Sequence, residues 1–416
     1  MRSKPVLRNA WRAIQRNAQH SKSETTRKEV ADFASDIDLK LARIYKQLRL
    51  KTFKFAPAKG VRIPKDSKNN SNFRPLVVAP IESRIVQRAV HDVLITVSQI
   101  KVYVQTLHSF GGVKKVNADD LAPVAAAIKA VLAAIESGGK FVIRSDITAF
   151  FTRILKSEVI KTIREAVHEE EFLEILESAI HVELANMAQL REHAQKFPIY
   201  DVGVAQGNSL SPLLGNIALF DFDKEMNKHA DVRCIRYIDD FIIIAPNRDV
   251  AENLFAQAQS ILKSLGMTLS LSKTSRAKIT EPFEFLGIEF GNGFLRPSKE
   301  SQERHLSSVE DAISKSVSAM RSRSREHPVP HPSSLVGTLT RLSGMNRGWG
   351  KHYYFCNDRN CLKRLDNEIS KKIRRYLSIY REEREKADEA DRWKLLGVEE
   401  LGQMQLNPFA WPKCGK

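Results

Sequence analysis

The sequence predicts an α+β fold, and three observations carry that prediction. Apolar residues recur at helical spacing through residues 1–50 and again from about 297 to 387. Short runs of β-formers lie between them: "FRPLVVA" (73–79), "KFVIRS" (140–145), "VRCIRY" (232–237), "FIII" (241–244) and "FEFLGIEF" (283–290). The hydrophobic fraction, 42%, is that of a chain able to bury sizeable cores.

Taken in order, residues 1–55 read as a basic helical extension, with Val6, Trp11, Ile14, Ile37, Leu41, Ile44 and Leu48 at helical spacing. Pro57, Gly60 and Pro64 break that pattern. "VRI" (61–63) and "FRPLVVA" then suggest a hairpin around the polar run "KDSKNNSN" (65–72), with Lys65 and Arg74 facing each other. A helix is expected over Ile81 to Val97, a loop over "HSFGGVKKVNADD" (108–120) and an Ala-rich helix over 121–135. "KFVIRSDITAFF" (140–151) is a strand ending on an acid, and 154–196 is helical. "VGVAQGNSLSPLLGNIAL" (202–219) is a turn opening a helix, with Ser209, Ser211 and Pro212 as its N-cap and first turn. Asp249 and Glu252 have capping-box spacing before a helix that Gly266 ends. "FEFLGIEF" is a further strand. The rest is helical and basic, and includes "RSRSR" (321–325).

Lys and Arg number 66 against 49 Asp and Glu, a net charge of +17, which calls for a polyanionic partner, nucleic acid before acidic membrane. The four cysteines form no CxxC pair and read as reduced thiols. No apolar h-region opens the chain and no run approaches a membrane span, so a cytoplasmic protein is expected.

"RYIDDFIII" (236–244) sets two adjacent acids inside a run of β-formers. If the strand "FVIRSD" lies beside this hairpin, Asp146, Asp239 and Asp240 converge at one strand end. Such a cluster requires cations, and hard divalent ions with oxygen ligands suit it, Mg²⁺ above all. Two such ions are a known device for phosphoryl transfer. Taken alone, a paired acid in a turn is more often a solvated β-turn.

"FVIRSDITAFF", "VAQGNSLSPLLGNIAL", "RYIDDFIII", "LSLSKT" (269–274) and "FEFLGIEF" follow one another in order. Together they resemble the five successive palm motifs of reverse transcriptases. "RPLVVAPIESRIVQRAV" (74–90) is similar to the fingers of the group II intron lineage, and "LTRLSGMNRGWGKHYYF" (339–355) with "CLKRLDNEISKKIRRYL" (361–377) to its maturase-type thumb. The resemblance covers roughly residues 60–380. It implies a right-hand polymerase with fingers at 56–140, a palm at 141–290 built on an antiparallel sheet with helices on one face, a thumb at 297–387, and a tail at 388–416.

By the same resemblance Asp146 and Asp239 are the shared ligands of two Mg²⁺ ions, for which Mn²⁺ may substitute. Asp240 is the auxiliary acid, and Ile147 adjoins Asp146 in the ligand set. Phe151 is the steric gate, excluding a ribonucleotide 2′-hydroxyl by simple overlap, with Phe150 beside it as core. Lys65 (or Lys68), Arg74, Gln206 and Lys273 attend the dNTP. Tyr237 and Gly207 lie against primer or nucleotide, the glycine because bare backbone permits close approach. Residues 285–287 form the primer-grip hairpin. Arg347, Lys351, Arg374 and Arg375 are phosphate contacts of the thumb, while Trp349, Tyr353 and Tyr354 are core. The implied partners are an RNA template, DNA product and dNTPs. No nuclease or integrase segment is recognised, and "QGNSLSP" keeps the unmodified motif. The chain thus looks like a free-standing, defence-associated enzyme working with a noncoding RNA. A maturase-like splicing helper and a template-independent DNA polymerase are the alternatives.

Overall fold

The computed structural model describes residues 1–19, 21, 23–66, 69–112, 120–324, 327–399, 401–403, 405, 407 and 409. They fall into two compact units, Met1–Thr280 and Glu281–Lys416.

In the first unit the helices Lys4–Gln19, Glu24–Ala34 and Ile37–Arg49 form as the apolar spacing predicts. Leu7, Ala10, Trp11, Ile14, Leu41, Ile44 and Leu48 make one buried stripe. Ser23 caps the second helix by accepting from the Thr26 N–H. The stripe packs on the helix Ile81–Leu94, through Ile85, Val86, Ala89 and Val90, and the same core runs on to Ile143, Phe150, Leu213 and Phe241. The N-terminal segment is therefore part of the main core.

The hairpin consists of β1 (Lys59–Asp66) and β2 (Asn69–Val78), whose strands extend into the polar run read as its turn. The facing of Lys65 and Arg74 is corrected. Arg74 pairs with Ile63, and the register slips between Pro64 and Asp66, leaving Lys65 in the irregularity. Pro64 has no N–H to continue the ladder, and such positions favour a bulge. Lys68 lies outside the described residues.

A four-stranded antiparallel sheet is the frame of this unit: β3 (Phe141–Asp146), β4 (Arg233–Tyr237), β5 (Asp240–Ala245) and β6 (Ser275–Lys278), in the order β4-β5-β3-β6. Phe141, Ile143, Phe241, Ile243 and Ala245 join the core made by Leu254, Phe255, Ala258 and Leu262 of the helix Arg248–Ser264. That helix is capped by Asn247, accepting from the Val250 N–H, not by Asp249. Gly266 ends it at φ +70° as expected. The Ala-rich helix Pro123–Glu136, read as part of the fingers, packs on β4 and β5 instead. Small side chains at Ala125, Ala127 and Ala134 permit that approach. The helices Lys156–Ala166 and Glu170–Ile180 occupy the first part of the expected helical stretch and join the core through Ile163, Leu173 and Leu176, while residues 181–186 are irregular before the short helical turns Met187–Leu190 and Arg191–Lys196.

The second unit opens with a meander of β7 (Phe283–Phe285), β8 (Ile288–Gly291) and β9 (Phe294–Pro297). "FEFLGIEF" is thus a hairpin, turning at Leu286 (φ +52°) and Gly287 (φ +74°), as a two-residue primed turn requires. It groups with the second unit, although the sequence placed it in the palm. The helices Lys299–Arg321, Leu335–His352, Arg359–Glu385 and Glu389–Leu396 follow. Within "RSRSR", Arg323 is structural: it binds the Glu383 carboxylate at 2.7 Å and main-chain carbonyl at 3.0 Å, tying two long helices together. Arg325 lies outside the described residues. Among the described residues no helix is long and apolar enough to cross a membrane.

Candidate active site

Asp146 closes β3, Asp240 opens β5, and the two are register partners across the ladder. Tyr237 pairs with Asp240, so only Ile238 and Asp239 form the turn between β4 and β5. Ile238 sits at φ +60°, a left-handed conformation that a β-branched residue rarely adopts. The Asp239 carbonyl accepts the Ile147 N–H at 2.9 Å, fastening the turn to the end of β3. Three carboxylates thereby gather at one end of the sheet, as the strand reading anticipated.

Two cations meet them. Arg144 donates two hydrogen bonds to Asp240, at 3.0 and 2.8 Å. Lys273, expected to attend the dNTP, places its Nζ 2.8 Å from Asp146. Among the described residues Asp239 forms no ion pair, though the Lys273 charge acts on it from beside Asp146. Burial first, and then the charge of Asp146, push its carboxyl up to about 6. Burial also raises Asp240, with Arg144 opposing.

Among the described residues no three His, Cys, Asp or Glu side chains form a ready-made metal cage. At the strand end Arg144 holds the carboxylate of Asp240 and Lys273 that of Asp146. The donor set nonetheless fits a divalent cation: hard oxygen ligands, one of them hindered from ionising by burial first and then by the charge of Asp146. Asp146 and Asp239 would hold it, Asp240 beside them. Ile147 could contribute only its main-chain carbonyl, because its side chain is a hydrocarbon with no donor atom, and it is buried in the core.

The two phenylalanines after Asp146 separate as expected. Phe150 is buried under Gly215, where an added Cβ would stand 2.8 Å from its ring, and Phe151 is half-buried at 5.1 Å from Phe150. Gln206 reaches the fingers hairpin through its main chain, its carbonyl accepting the Val77 N–H at 2.9 Å. Gly207 is at φ +110°, and a Cβ there would meet the Val77 carbonyl oxygen at 2.8 Å. This glycine thus permits a close approach to β2. Ser211 begins the helix Ser211–Ala218 but does not cap it; its hydroxyl donates to the Ala205 carbonyl at 2.6 Å. Pro212 stands in the first turn as read.

Tyr237 is half-buried, and burial pushes its phenol up. Arg74 and Lys65 are exposed on the hairpin. Arg347, Lys351, Arg374 and Arg375 are exposed on two helices of the second unit. Trp349 stacks on His305 at 4.8 Å and packs on Tyr353 at 4.5 Å, as core residues do. Tyr354 does not; it is exposed. Sequence reasoning missed Arg144 and Arg236. Arg144 was within reach, since residues two apart on a strand share a face and it stands two before Asp146.

Residues 63–290 match the family model of the reverse transcriptase (RNA-dependent DNA polymerase) domain, and the chain belongs to that family. Divalent metal ions are general to reverse transcriptase domains. Among curated proteins, the chain is 25% identical over 271 residues to Protein YkfC of Escherichia coli (strain K12), covering 56% of this chain and 66% of that one. It is 25% identical over 139 residues to Protein P of duck hepatitis B virus (strain Germany/DHBV-3), covering 33% of this chain and 17% of that one. The chain thus spans less than two thirds of either relative. Among solved structures, apo telomerase from Candida tropicalis is similar at a TM-score of 0.44 and 14% identity, over 83% of this chain and 63% of that one. Telomerase from Candida albicans with a fragment of telomeric RNA gives a TM-score of 0.38 at 13% identity, over 85% and 62%.

Proposed function

We propose that the chain is an RNA-directed DNA polymerase that copies a bound, structured noncoding RNA into DNA. The observation that carries this reading is the pairing of Asp146 with Asp240 across β3 and β5, with Asp239 stapled beside them in a chain of the reverse transcriptase family. Two Mg²⁺ ions held by Asp146 and Asp239 would supply activation of the primer 3′-hydroxyl and charge neutralisation at the leaving pyrophosphate. The remaining work falls to the chain's own groups. Arg144 orients Asp240 and opposes the burial that raises its carboxyl. Phe151 presents a ring where a ribose 2′-hydroxyl would need room. Arg74 offers a bidentate cation to the triphosphate, and the exposed Arg347, Lys351, Arg374 and Arg375 offer sequence-neutral contacts to duplex phosphates.

Primer extension on poly(rA)/oligo(dT) with Mg²⁺ and dTTP tests the reading. The chain extends the primer, and Asp239→Ala lowers the rate by about a thousandfold or more, the scale on which central electrostatic groups act. Equal, negligible incorporation by both proteins rejects it. Phe151→Val opens the sugar pocket and improves rUTP use against dTTP by about ten- to a hundredfold, read from the ratio of kcat/KM values. A role in antiphage defence rests on the family likeness of the motifs. Intron RNA domains flanking the gene would overturn it.

A further inference from the structure

We infer that Arg236 is a positioning residue that holds the Ile238–Asp239 turn in its active shape, an inference resting on the reading of Asp239 as a catalytic acid. Arg236 lies in β4, two residues before the turn, and is fully buried. Its Nε and Nη2 donate to the two carboxylate oxygens of Asp223 at 2.7 and 2.5 Å. Its Nη1 donates to the Ile238 main-chain carbonyl at 2.9 Å and to Asn216 Oδ1 at 3.2 Å.

The network extends to a neighbouring loop. Asn216 Nδ2 donates to the Gly111 carbonyl at 3.0 Å, and the Ser109 hydroxyl donates to Asn216 Oδ1 at 3.2 Å. The same loop pairs with the β4 backbone: the Arg236 N–H donates to the His108 carbonyl at 2.8 Å, and the Phe110 N–H to the Arg236 carbonyl at 2.9 Å. Gly111 lies so close to the turn that an added Cβ would stand 2.5 Å from the Ile238 nitrogen. The turn is thus gripped by a guanidinium on one side and by glycine backbone on another.

Stability alone is a poor reason for this arginine. A buried ion pair is often matched or surpassed by apolar side chains of similar volume. An apolar side chain cannot, however, donate to the Ile238 carbonyl. That carbonyl belongs to a β-branched residue at φ +60°, a strained conformation that persists only where its surroundings impose it. Released, Ile238 relaxes toward negative φ. Asp239, the next residue, then turns away from Asp146.

The test uses the full chain and removes both charges together, so that none is left buried alone: Arg236→Met with Asp223→Leu. It adds Ile238→Gly, because glycine takes φ +60° without strain. The double variant keeps its melting temperature within a few degrees, while kcat for dTTP on poly(rA)/oligo(dT) falls about ten- to a hundredfold at nearly unchanged KM. In the Ile238→Gly background the same double change costs less than about threefold, because the strain it releases is gone. Backbone amide exchange over residues 236–240 rises about tenfold or more in the double variant, with the β6 amides unaffected. The inference is overturned if that exchange is unchanged, if kcat stays within twofold, or if the loss is equal in both backgrounds. A wild-type chain that extends no primer would reject the polymerase reading instead, and the exchange measurement would still decide the role of Arg236.

Discussion

Of the ion pairs about the acidic turn, Arg236–Asp223 and Lys273–Asp146 differ in almost everything but chemistry. Arg236 and Asp223 are both buried, joined by two hydrogen bonds, with no room to exchange partners. Lys273 and Asp146 meet through one contact at 2.8 Å, and the lysine side chain is 63% exposed. A buried bidentate pair is fixed, because separating it strands a charge in low dielectric. A single contact from a flexible lysine is exchangeable, because water replaces it at little loss. The first is suited to hold geometry and the second to yield to an incoming cation. Asp239 lies in the turn whose Ile238 carbonyl Arg236 holds, and burial first and then the charge of Asp146 push its carboxyl up to about 6, with Lys273 opposing.

The largest expected effect breaks the fixed pair from one side. Arg236→Ala leaves Asp223 charged and unpartnered in the core, and about 3–5 kcal/mol of stability is lost, measured by urea unfolding of the full chain. A smaller effect sharpens the role of Asp239. Its folded value, about 6, lies above its ordinary 3.8, so the folded chain holds this proton more tightly than the unfolded one. Its contribution to stability is therefore present below about pH 4 and is lost as pH rises through 6. Asp239→Asn, which never ionises, should stabilise the metal-free chain by up to about 3 kcal/mol at pH 7, at 1.36 kcal/mol per pK unit, and by almost nothing at pH 4. Equal stabilisation at both pH values would contradict the assignment. The smallest effect touches the exchangeable pair. Lys273→Met costs below about 1 kcal/mol, and the difference shrinks further in 1 M salt, where the screening length is about 3 Å. A loss as large as that from Arg236→Ala would erase the distinction between the two pairs.

Much of the candidate site was legible because it is written locally. Asp146 ends a run of β-formers, and Asp239 and Asp240 interrupt another, so each acid had to lie at a strand end. The helical stripe of Leu7, Trp11, Ile14, Leu41 and Ile44 was readable for the same reason, since period fixes a face. Register was not legible. The pairing of Arg74 with Ile63 belongs to a register that runs unbroken from Lys59 to Pro64, and register cannot be seen in one strand alone. Nor was the cap at Asn247, where Asp249 offered the more familiar spacing.

The sequence by itself determined which residues carry charge, roughly where most strands and helices lie, and that each acid stands at the end of a run of β-formers. Alternation and helical period act over a few residues, so neighbours in the chain suffice to specify them. Only the tertiary structure decided who answers each charge: Asp223 for Arg236, Arg144 for Asp240, Lys273 for Asp146. Those partners stand 13, 96 and 127 residues apart. A Coulombic contact forms at a few ångströms of space whatever the separation along the chain, so only the folded chain could choose them.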